Sequence, residues 1–284
     1  MNILYCGDGN IADGVIMSTL SLLENTKEAL NIFILTMSFR TEKKTYLPFP
    51  SDLASFLDEK VKEKNSKSSV KLCDVTDIFS AMPPTANLET RFTPCCMLRL
   101  YADLVPEMPS RILYLDNDVI CLSDLTEFYD QDMDGVEISG VLDRYGKWFF
   151  KKNYITFDYL NSGVLLLNLE EIRKTGLFEK CRERCRDKEM LLPDQSALNK
   201  LAKKKKICKG KYNEQRKIKK NTVFRHYTTT FRFFPRFRSV TVKPWQIDRV
   251  HEILKSDECD RLYSEYKTVY NAYKKSEPIK SETN

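Results

Sequence analysis

Histidine is scarce in this chain, with only His226 and His251 among its 284 residues. The nine cysteines are odd in number and scattered, and none forms a Cys-x-x-Cys pair. A structural zinc site usually takes four Cys and His ligands at short spacings. The sequence therefore argues against a zinc framework. Most of the cysteines lie among apolar neighbours, where a reduced thiol behaves as a small hydrophobic side chain.

Long apolar runs are also missing. No segment approaches the roughly 20 apolar residues that are needed to cross a bilayer. The first residues, Met1 to Asp8, carry no basic stretch and reach a carboxylate before a signal-peptide core could form. A cytoplasmic enzyme is the expectation, and peripheral contact with the inner face of a membrane is an additional option.

Positive charge is concentrated in one segment. The net charge is +6, and ten Lys and Arg residues lie between Lys203 and Lys220 against one acid, Glu214. Such a run is typical of proteins that meet nucleic acid, an anionic membrane or a phosphorylated acceptor. It is equally typical of a solvated lysine-rich face, and both interpretations stay open here.

The first two-thirds of the chain alternate between apolar runs of strand length and segments of helical periodicity. Strands are predicted at 2–6, 31–37, 70–73, 111–115, 136–142 and 163–167, and helices at 11–23, 51–64 (with Ser51 as N-cap) and 93–104. This alternation predicts an α/β fold with an open, mostly parallel sheet and helices on both faces. Ligands of such sheets bind beyond the carboxyl ends of the strands, so functional residues are sought directly after each apolar run.

The C-terminal third has a different pattern. Residues 203–245 are basic and aromatic, and residues 257–275 form an amphipathic helical pattern. Its apolar stripe, which predicts packing on the parent domain, consists of Cys259, Leu262, Tyr263, Tyr266, Val269, Tyr270 and Tyr273. We expect a domain over residues 1–255 and an appendage over 256–284, made of this helix and a frayed tail.

Two carboxylates follow the predicted strand at 111–115. Asp116 and Asp118 are two residues apart, so in an extended chain they project to the same side, where the buried strand reaches the surface. A shared hard cation such as Mg²⁺ or Mn²⁺ would relieve their repulsion and leave positions for phosphate oxygens. Solvated loop acids are the alternative, because the chain has two further Asp-x-Asp pairs within residues 130–134.

The first strand ends in Cys6-Gly-Asp-Gly-Asn10. Its glycines permit close approach of a ligand to the backbone, and Asp8 and Asn10 could pair with a base or with ribose hydroxyls. No Gly-x-Gly-x-x-Gly pattern and no phosphate-loop lysine follow, which argues against dinucleotide and ATP-type sites. An ordinary turn is the alternative.

Five further polar residues follow or begin predicted elements: Asp143, Asn161, Asp194, Gln195 and His226. Each has an ordinary structural explanation when taken alone. Asp143 fits a loop acid, Asn161 a turn at a strand start, Asp194 a helix N-cap, and His226 a member of an aromatic cluster. Their order along the chain is more informative than any one of them.

Seven motifs carry a resemblance to a known family. They are Asp8-Gly-Asn10, Arg99-Leu100, Tyr114-Leu-Asp-Asn-Asp-Val119, Asn161-Ser-Gly-Val-Leu-Leu-Leu-Asn168, Asp194-Gln195 with Leu198-Asn199, His226-Tyr227 and Lys243-Pro-Trp245. From Met1 to about Trp245 the chain resembles glycosyltransferase family 8, the retaining hexosyltransferases that include lipopolysaccharide galactosyl- and glucosyltransferases and glycogenin. The chain departs from the family pattern between His226 and Lys243, where a basic, aromatic insert follows Thr228–Thr230.

The resemblance implies a GT-A fold, a UDP-hexose donor carrying glucose or galactose, and a bound Mn²⁺ or Mg²⁺. The implied roles are uridine contact by Cys6, Asp8 and Asn10; metal binding by Asp116, Asp118 and His226; phosphate contact by Lys243; donor binding by Arg99, Asn117 and Asn161; and positions at the reacting centre for Asp143, Asp194 and Gln195. The acceptor would be a glycan, a glycolipid or a glycoprotein.

The resemblance also indicates a mechanism. The residue placed near the anomeric carbon, Gln195, is an amide and a poor nucleophile. Same-face attack by the acceptor, with a UDP oxygen taking its proton, is therefore favoured over a covalent step at Asp194.

Two other functions are compatible with parts of the sequence. A sugar nucleotidyltransferase would share the α/β scaffold, but the glycine- and basic-rich signature usual near its N-terminus is missing. An RNA-binding protein could use the basic run and the aromatic segment Phe231–Phe237. That segment follows the donor motifs, so no nucleic-acid partner is expected.

Overall fold

Strands and helices alternate through most of the chain. The computed structural model describes residues 1–90, 93–144, 158–232 and 238–276. Its strands are β1 (Asn2–Cys6), β2 (Asn31–Thr36), β3 (Phe39–Arg40), β4 (Thr45–Tyr46), β5 (Ser69–Asp74), β6 (Arg111–Leu115), β7 (Val119–Cys121), β8 (Ile138–Leu142), β9 (Leu160–Asn168), β10 (Lys205–Ile207), β11 (Phe224–His226), β12 (Thr230–Arg232) and β13 (Arg238–Val240).

A seven-stranded sheet forms the centre, in the order β10-β8-β9-β6-β1-β2-β5. All neighbouring strands are parallel except at β9, which runs antiparallel to both β6 and β8. Two-stranded antiparallel pairs join β7 to β11, β12 to β13 and β3 to β4. The predicted α/β class with a mostly parallel sheet is confirmed.

Helices cover both faces of this sheet. They are α1 (Ala12–Asn25), α2 (Ser51–Lys64), α3 (Thr76–Ala81), α4 (Thr126–Tyr129), α5 (Leu169–Thr175), α6 (Leu177–Asp187), α7 (Pro193–Leu201), α8 (Ile247–Arg249) and α9 (Asp260–Ser276), with 3₁₀ turns at Gly9–Ile11, Thr85–Asn87, Pro94–Leu104 and Gly210–Tyr212 and a π-helical turn at Val250–Leu254. Within the described ranges, no helix is long and apolar enough to cross a membrane.

The core consists of two apolar clusters, one on each face of the sheet. Successive side chains of a strand point to opposite faces, so in β1 Ile3 and Tyr5 enter one cluster and Leu4 enters the other. The first cluster includes residues of α1, α2 and α9, and the second includes residues of the segment 94–104 and of α5 to α7. The buried apolar runs of the parallel strands are explained by this two-sided coverage.

Several predicted boundaries coincide with the structure, and others differ. Strands β1 and β6 and helix α2 have the predicted bounds. Ser51 is not the N-cap of α2: Pro50 holds that position with an extended backbone, and Ser51 is the first helical residue. The helix predicted at 93–104 is a 3₁₀ helix that begins at Pro94. Strand β9 begins three residues earlier than predicted, at Leu160.

The amphipathic C-terminal helix packs on the rest of the protein, as predicted. Its stripe is buried except at Tyr270, which is partly buried. Two tyrosines anchor it through hydroxyl groups: Tyr266 donates to Asp13 Oδ1 and Tyr273 donates to Asp52 Oδ2, each at 2.8 Å. The division into two units at residue 255 stays a prediction, and the predicted frayed tail at 277–284 lies outside the described residues.

The topology brings the motif residues to one edge of the sheet. β1, β6 and β8 end at that edge, next to Cys6, Asp116 and Asp143. Because β9 is antiparallel, its beginning lies there too, with Leu142 of β8 opposite Leu160. Side chains far apart in sequence therefore meet beyond the carboxyl ends of the parallel strands.

Candidate active site

The acidic turn, which consists of Asp116, Asn117 and Asp118, joins β6 to β7. The Asp116 N–H donates to the Gly163 carbonyl at 2.8 Å, and the Val119 N–H donates back to the Asp116 carbonyl at 3.1 Å. Helix α1 presses against this turn, because a Cβ at Gly14 would lie 2.3 Å from the Asn117 carbonyl oxygen. The turn is thus fixed from both sides, and Asp118 is only 3% exposed.

His226 reaches the same turn from strand β11. β11 pairs with β7 so that His226 lies opposite Val119, next to the acidic turn. Its Nε2 lies 3.2 Å from Asp118 Oδ1 and 3.5 Å from Asp116 Oδ2. Ligand atoms of these three residues all lie within 4.8 Å of one another. The two carboxylates and the imidazole predicted as metal ligands are therefore brought together.

Gly163 makes room for this cluster. A Cβ at this position would lie 2.2 Å from His226 Cε1 and 2.8 Å from Asp116 Oδ2. Any side chain on β9 here would displace the imidazole from the carboxylates. The Asn-Ser-Gly motif therefore has a steric reason for its glycine.

Two basic side chains neutralise the carboxylates. Lys243 Nζ lies 2.5 Å from Asp118 Oδ2, and Arg99 Nη2 lies 3.0 Å from Asp116 Oδ1. Burial alone would raise the pKa of Asp118, but the charge of Lys243 and the neighbouring His226 outweigh it, and the pKa lies well below its usual range. Burial alone would lower the pKa of Lys243, but Asp118 raises it, so this pair is fully ionised at neutral pH.

Arg99 links three parts of the site. Besides Asp116 it contacts Asp194, with Nε 3.3 Å from Oδ2, and it donates to the Ser162 carbonyl at 2.5 Å. Its guanidinium lies 3.7 Å from the ring centroid of Tyr114, whose hydroxyl donates to Asp116 Oδ1 at 2.6 Å. Arg99 thereby holds two carboxylates of the site at once.

Asp143 is the centre of a second polar group. Its Oδ2 accepts from Asn161 Nδ2 at 2.9 Å and from Gln195 Nε2 at 3.1 Å. Gln195 Oε1 in turn accepts from the Ser162 N–H at 2.9 Å. The Ser162 hydroxyl lies 3.3 Å from Asp194 Oδ2. These buried groups form one connected network beside the acidic turn.

The end of β1 carries a compact polar pair. Asp8 Oδ1 accepts from the Asn10 N–H at 3.2 Å, and Asp8 Oδ2 accepts from Asn10 Nδ2 at 2.7 Å. Gly9 is fixed by its N–H, which donates to the Leu47 carbonyl at 2.9 Å. Asp8 is buried and Asn10 is exposed, and both line the cavity that also contains Asp116 and Asp118.

One cavity of about 810 Å³ contains all of these groups, within the range of small-molecule sites. All thirteen predicted site residues line it: Cys6, Asp8, Asn10, Arg99, Asp116, Asn117, Asp118, Asp143, Asn161, Asp194, Gln195, His226 and Lys243. The other acidic pairs lie elsewhere: Asp130, Asp132 and Asp134 are exposed, and the Asp134 N–H donates to Asp132 Oδ1 at 2.9 Å. The interpretation of these acids as loop acids is confirmed.

Three residues of this site are not predicted by the sequence alone: Tyr114, Ser162 and Asn213. Tyr114 is two residues before Asp116, so the alternation of side chains in a strand was a signal for it. Ser162 belongs to the Asn161–Asn168 motif, but its contacts with Gln195 and Asp194 are visible only in the structure. Asn213 had no local signal, because it is part of the basic run and only the fold buries it beside His226.

Comparison with known proteins assigns the chain to a family. The sequence profile of glycosyl transferase family 8 matches residues 2–281. The chain belongs to this family. The resemblance inferred from the seven motifs is thereby confirmed.

Several curated relatives are similar at moderate identity. A lipopolysaccharide 1,3-galactosyltransferase of Salmonella typhimurium is 27% identical over 228 residues, which cover 75% of this chain and 63% of that protein. A lipopolysaccharide 1,2-glucosyltransferase of Escherichia coli is 25% identical over 258 residues, which cover 80% of this chain and 71% of that protein. A putative glycosyltransferase of Haemophilus influenzae is matched over 60% of its length, so the chain spans between 60% and 71% of the length of these three relatives.

A solved galactosyltransferase structure has the same fold. The crystal structure of the galactosyltransferase LgtC with donor and acceptor sugar analogues matches with a TM-score of 0.64 at 18% identity. The match covers 94% of this chain and 96% of that chain. The predicted GT-A fold is confirmed by this likeness.

Proposed function

We propose that this family 8 chain is a retaining hexosyltransferase. It would move glucose or galactose from a UDP-sugar to a glycan, glycolipid or glycoprotein acceptor. The observation that carries the proposal is the meeting of Asp116, Asp118 and His226 in a cavity that Asp143, Asn161 and Gln195 also line. A metal ion held by this cluster would bind a diphosphate. The neighbouring carboxylate and amide groups can form hydrogen bonds with sugar hydroxyls.

The side chains of Asp116, Asp118 and His226 fit a divalent metal ion as ligands. Two carboxylates and one imidazole match the ligand preferences of Mn²⁺, and Mg²⁺ is the alternative for the same oxygens. The ligand atoms lie within 4.8 Å of one another, as a shared ion requires. When bound, such an ion neutralises negative charge on the departing diphosphate.

The chain's own residues would divide the remaining work. Lys243, whose side chain is about one-third exposed, would hold a phosphate oxygen with its positive charge. Cys6, Asp8 and Asn10 would contact the uridine at the end of β1, and Asn117 lines the cavity between the two metal-binding aspartates. Because Arg99 already contacts Asp116 and Asp194, we propose that it acts on the donor largely by holding those carboxylates.

The reacting centre favours same-face attack. Gln195 is held by its amide nitrogen to Asp143 and by its amide oxygen to the Ser162 N–H, so it has no nucleophilic group to offer. The bond from the anomeric carbon to the UDP oxygen would break as the acceptor hydroxyl adds on the same face. The acceptor proton would pass to an oxygen of the departing diphosphate. Attack by Asp194 is the alternative, but its carboxylate already pairs with Arg99.

Nucleotide binding tests this function directly. We would titrate UDP in Mn²⁺ and in EDTA, then measure hydrolysis of UDP-glucose and UDP-galactose. Metal-dependent UDP binding and slow hydrolysis of one donor are expected. The Asp116→Asn and Asp118→Asn variants should lose both, whereas Asp132→Asn, from an exposed Asp-x-Asp pair, should not. Full activity in both site variants would contradict the metal assignment.

The basic run supports a proposal about location. Lys205, Lys211 and Lys219 form ion pairs with Asp158, Glu127 and Glu214. The exposed basic residues of the run are Lys203, Lys204, Lys209, Arg216, Lys217, Lys219 and Lys220. We propose that these meet the anionic inner face of a membrane from the cytoplasm.

Vesicle sedimentation tests this location. Binding to phosphatidylglycerol vesicles that falls with salt, with no binding to phosphatidylcholine, is the expected result. A Lys217→Glu/Lys220→Glu variant should bind less while hydrolysing the UDP-sugar normally. Salt-sensitive binding to RNA with no affinity for vesicles would point to the nucleic-acid interpretation.

A further inference from the structure

Asn213 is buried beside His226 although it belongs to the basic surface run. It follows the 3₁₀ turn at Gly210–Tyr212, where its N–H donates to the Gly210 carbonyl at 3.1 Å. The next residue, Glu214, exchanges backbone hydrogen bonds with Phe224 and His226 of β11, at 2.8 and 3.0 Å. The backbone therefore fixes Asn213 next to the imidazole, and only 2% of Asn213 is exposed.

The orientation of a neighbouring amide is fixed independently. Asn161 Nδ2 donates to the carboxylate oxygen Oδ2 of Asp143, and Asn161 Oδ1 faces the Gly163 N–H, which can only donate. These two contacts fix which end of the Asn161 amide is the oxygen. Asn213 Nδ2 donates to that same oxygen at 2.9 Å. The Asn213 amide oxygen is consequently turned toward His226.

The imidazole Nδ1 then faces two acceptors. It lies 3.1 Å from Asn161 Oδ1 and 3.2 Å from Asn213 Oδ1. An amide oxygen can accept but not donate, so Nδ1 must carry the proton. The other ring nitrogen, Nε2, is directed to Asp116 and Asp118.

We propose that Asn213 is a positioning residue for the cation site: it holds His226 with Nδ1 protonated and Nε2 available to a metal ion. The inference rests on the proposed function. Partners of a ligating histidine set its ring orientation and tautomer, and their loss typically lowers metal affinity by about 10- to 100-fold. Asn213 also orients Asn161, so it connects the metal-binding group to the group around Asp143.

The test combines ring NMR with metal titration. Since the chain has two histidines, a His251→Gln background leaves His226 as the only imidazole in ¹H–¹⁵N spectra. In the metal-free protein, we expect a proton on Nδ1. For Asn213→Leu, which keeps the volume and loses the hydrogen bonds, we expect Mn²⁺ affinity in the presence of UDP to fall about 10- to 100-fold. UDP affinity in EDTA should not change.

Controls separate positioning from a general loss of structure. Thr222→Val removes another buried side-chain acceptor of the same loop, where Thr222 Oγ1 accepts from the Lys219 N–H at 2.8 Å, and it should keep wild-type Mn²⁺ affinity. Asn213→Asp keeps an oxygen for Nδ1 and should bind Mn²⁺ more tightly than Asn213→Leu.

The outcomes distinguish this inference from the proposed function. If the wild type binds Mn²⁺ with UDP and Asn213→Leu binds it equally well, Asn213 has no positioning role. A bare Nδ1 in the wild-type spectrum overturns the inference even if the variants fail to fold. If the wild type itself binds neither Mn²⁺ nor UDP, the proposed function fails instead.

Discussion

Lys243 and Asp118 form a direct ion pair, with Nζ 2.5 Å from Oδ2, although they are 125 residues apart in sequence. The remaining oxygen of Asp118 faces His226. The carboxylate that would bind a metal ion is therefore already neutralised by the lysine that would bind the diphosphate. A metal ion would therefore compete with Lys243 for Asp118 until a phosphate group drew the lysine away.

Lys243→Met should affect the two ligands in opposite directions. Without UDP, Mn²⁺ affinity should rise, because the competing ammonium group is gone. With the metal present, UDP affinity should fall by about tenfold or more. A hydrogen bond to a charged group typically contributes ~1.5–3 kcal/mol, and this variant would lose one. Mn²⁺ titrations with and without UDP measure both effects.

The matched control for this variant is Lys219→Met. Lys219 also forms a 2.5 Å ion pair, with Glu214, but it lies outside the cavity and is largely exposed. It should leave both affinities unchanged. Weaker Mn²⁺ binding by Lys243→Met in the absence of UDP would contradict the competition.

Gly163→Ala should disable the site and leave the fold intact. The added Cβ would lie 2.2 Å from His226 Cε1, so the imidazole must move away from the two aspartates. A displacement of about 1 Å typically costs on the order of 100-fold in rate. Donor hydrolysis measures the loss, and far-UV circular dichroism reports the fold. Gly210→Ala is the control, because a Cβ there meets nothing within 4 Å, and equal activity of both variants would contradict the steric argument.

Much of the fold followed from local pattern. Strands β1 and β6 are continuous apolar runs ended by polar residues, and α2 has clear helical periodicity, so their bounds were predictable. The 3₁₀ geometry of Pro94–Leu104 was not predictable, because its composition resembles that of an α-helix. The antiparallel direction of β9 depends on tertiary pairing with β6 and β8, which periodicity does not encode.

The site was predictable only where order along the chain carried information. Asp116 and Asp118 stood out because they follow a buried strand, and the family motifs then linked them to His226. Asn213 could not be found in this way. It lies inside the basic run without a motif of its own, and its role depends on the pairing of Glu214 with β11.

Arg182→Met should destabilise the protein without touching the cavity. Arg182 is buried. It forms a 2.5 Å ion pair with Asp103 and also donates to the Leu100 carbonyl. Both partners belong to the 3₁₀ helix that carries Arg99, so Arg182 stabilises the position of this helix. Removing one partner of a buried pair typically costs about 3–5 kcal/mol, and denaturant unfolding measures it. The exposed pair of Arg186 with Asp187 provides the control. Arg186→Met should change the free energy of unfolding by less than about 0.5 kcal/mol.

The cavity thiols should resist alkylation at neutral pH. Burial raises the pKa of Cys95 from 9.0 to about 12, and burial with the nearby Asp194 raises the pKa of Cys96 well above 9.0. Only the thiolate reacts, so a shift of this size lowers the reactive fraction of Cys95 at pH 7.5 by about a thousandfold. Peptide-resolved mass spectrometry after iodoacetamide treatment should show slow labelling that rises with pH, and rapid labelling in guanidinium.

The same shifts affect stability at alkaline pH. The pKa of Cys95 in the folded protein is above its unfolded value, so the neutral buried thiol stabilises the fold fully below about pH 9. This contribution is lost as pH rises from about 9 to about 12, because the unfolded thiol ionises first. The free energy of unfolding of the wild type should therefore fall over that range. The free energy of unfolding of Cys95→Ala should fall less steeply. Rapid labelling of Cys95 at pH 7.5 in the folded protein would contradict both the raised pKa and this effect on stability.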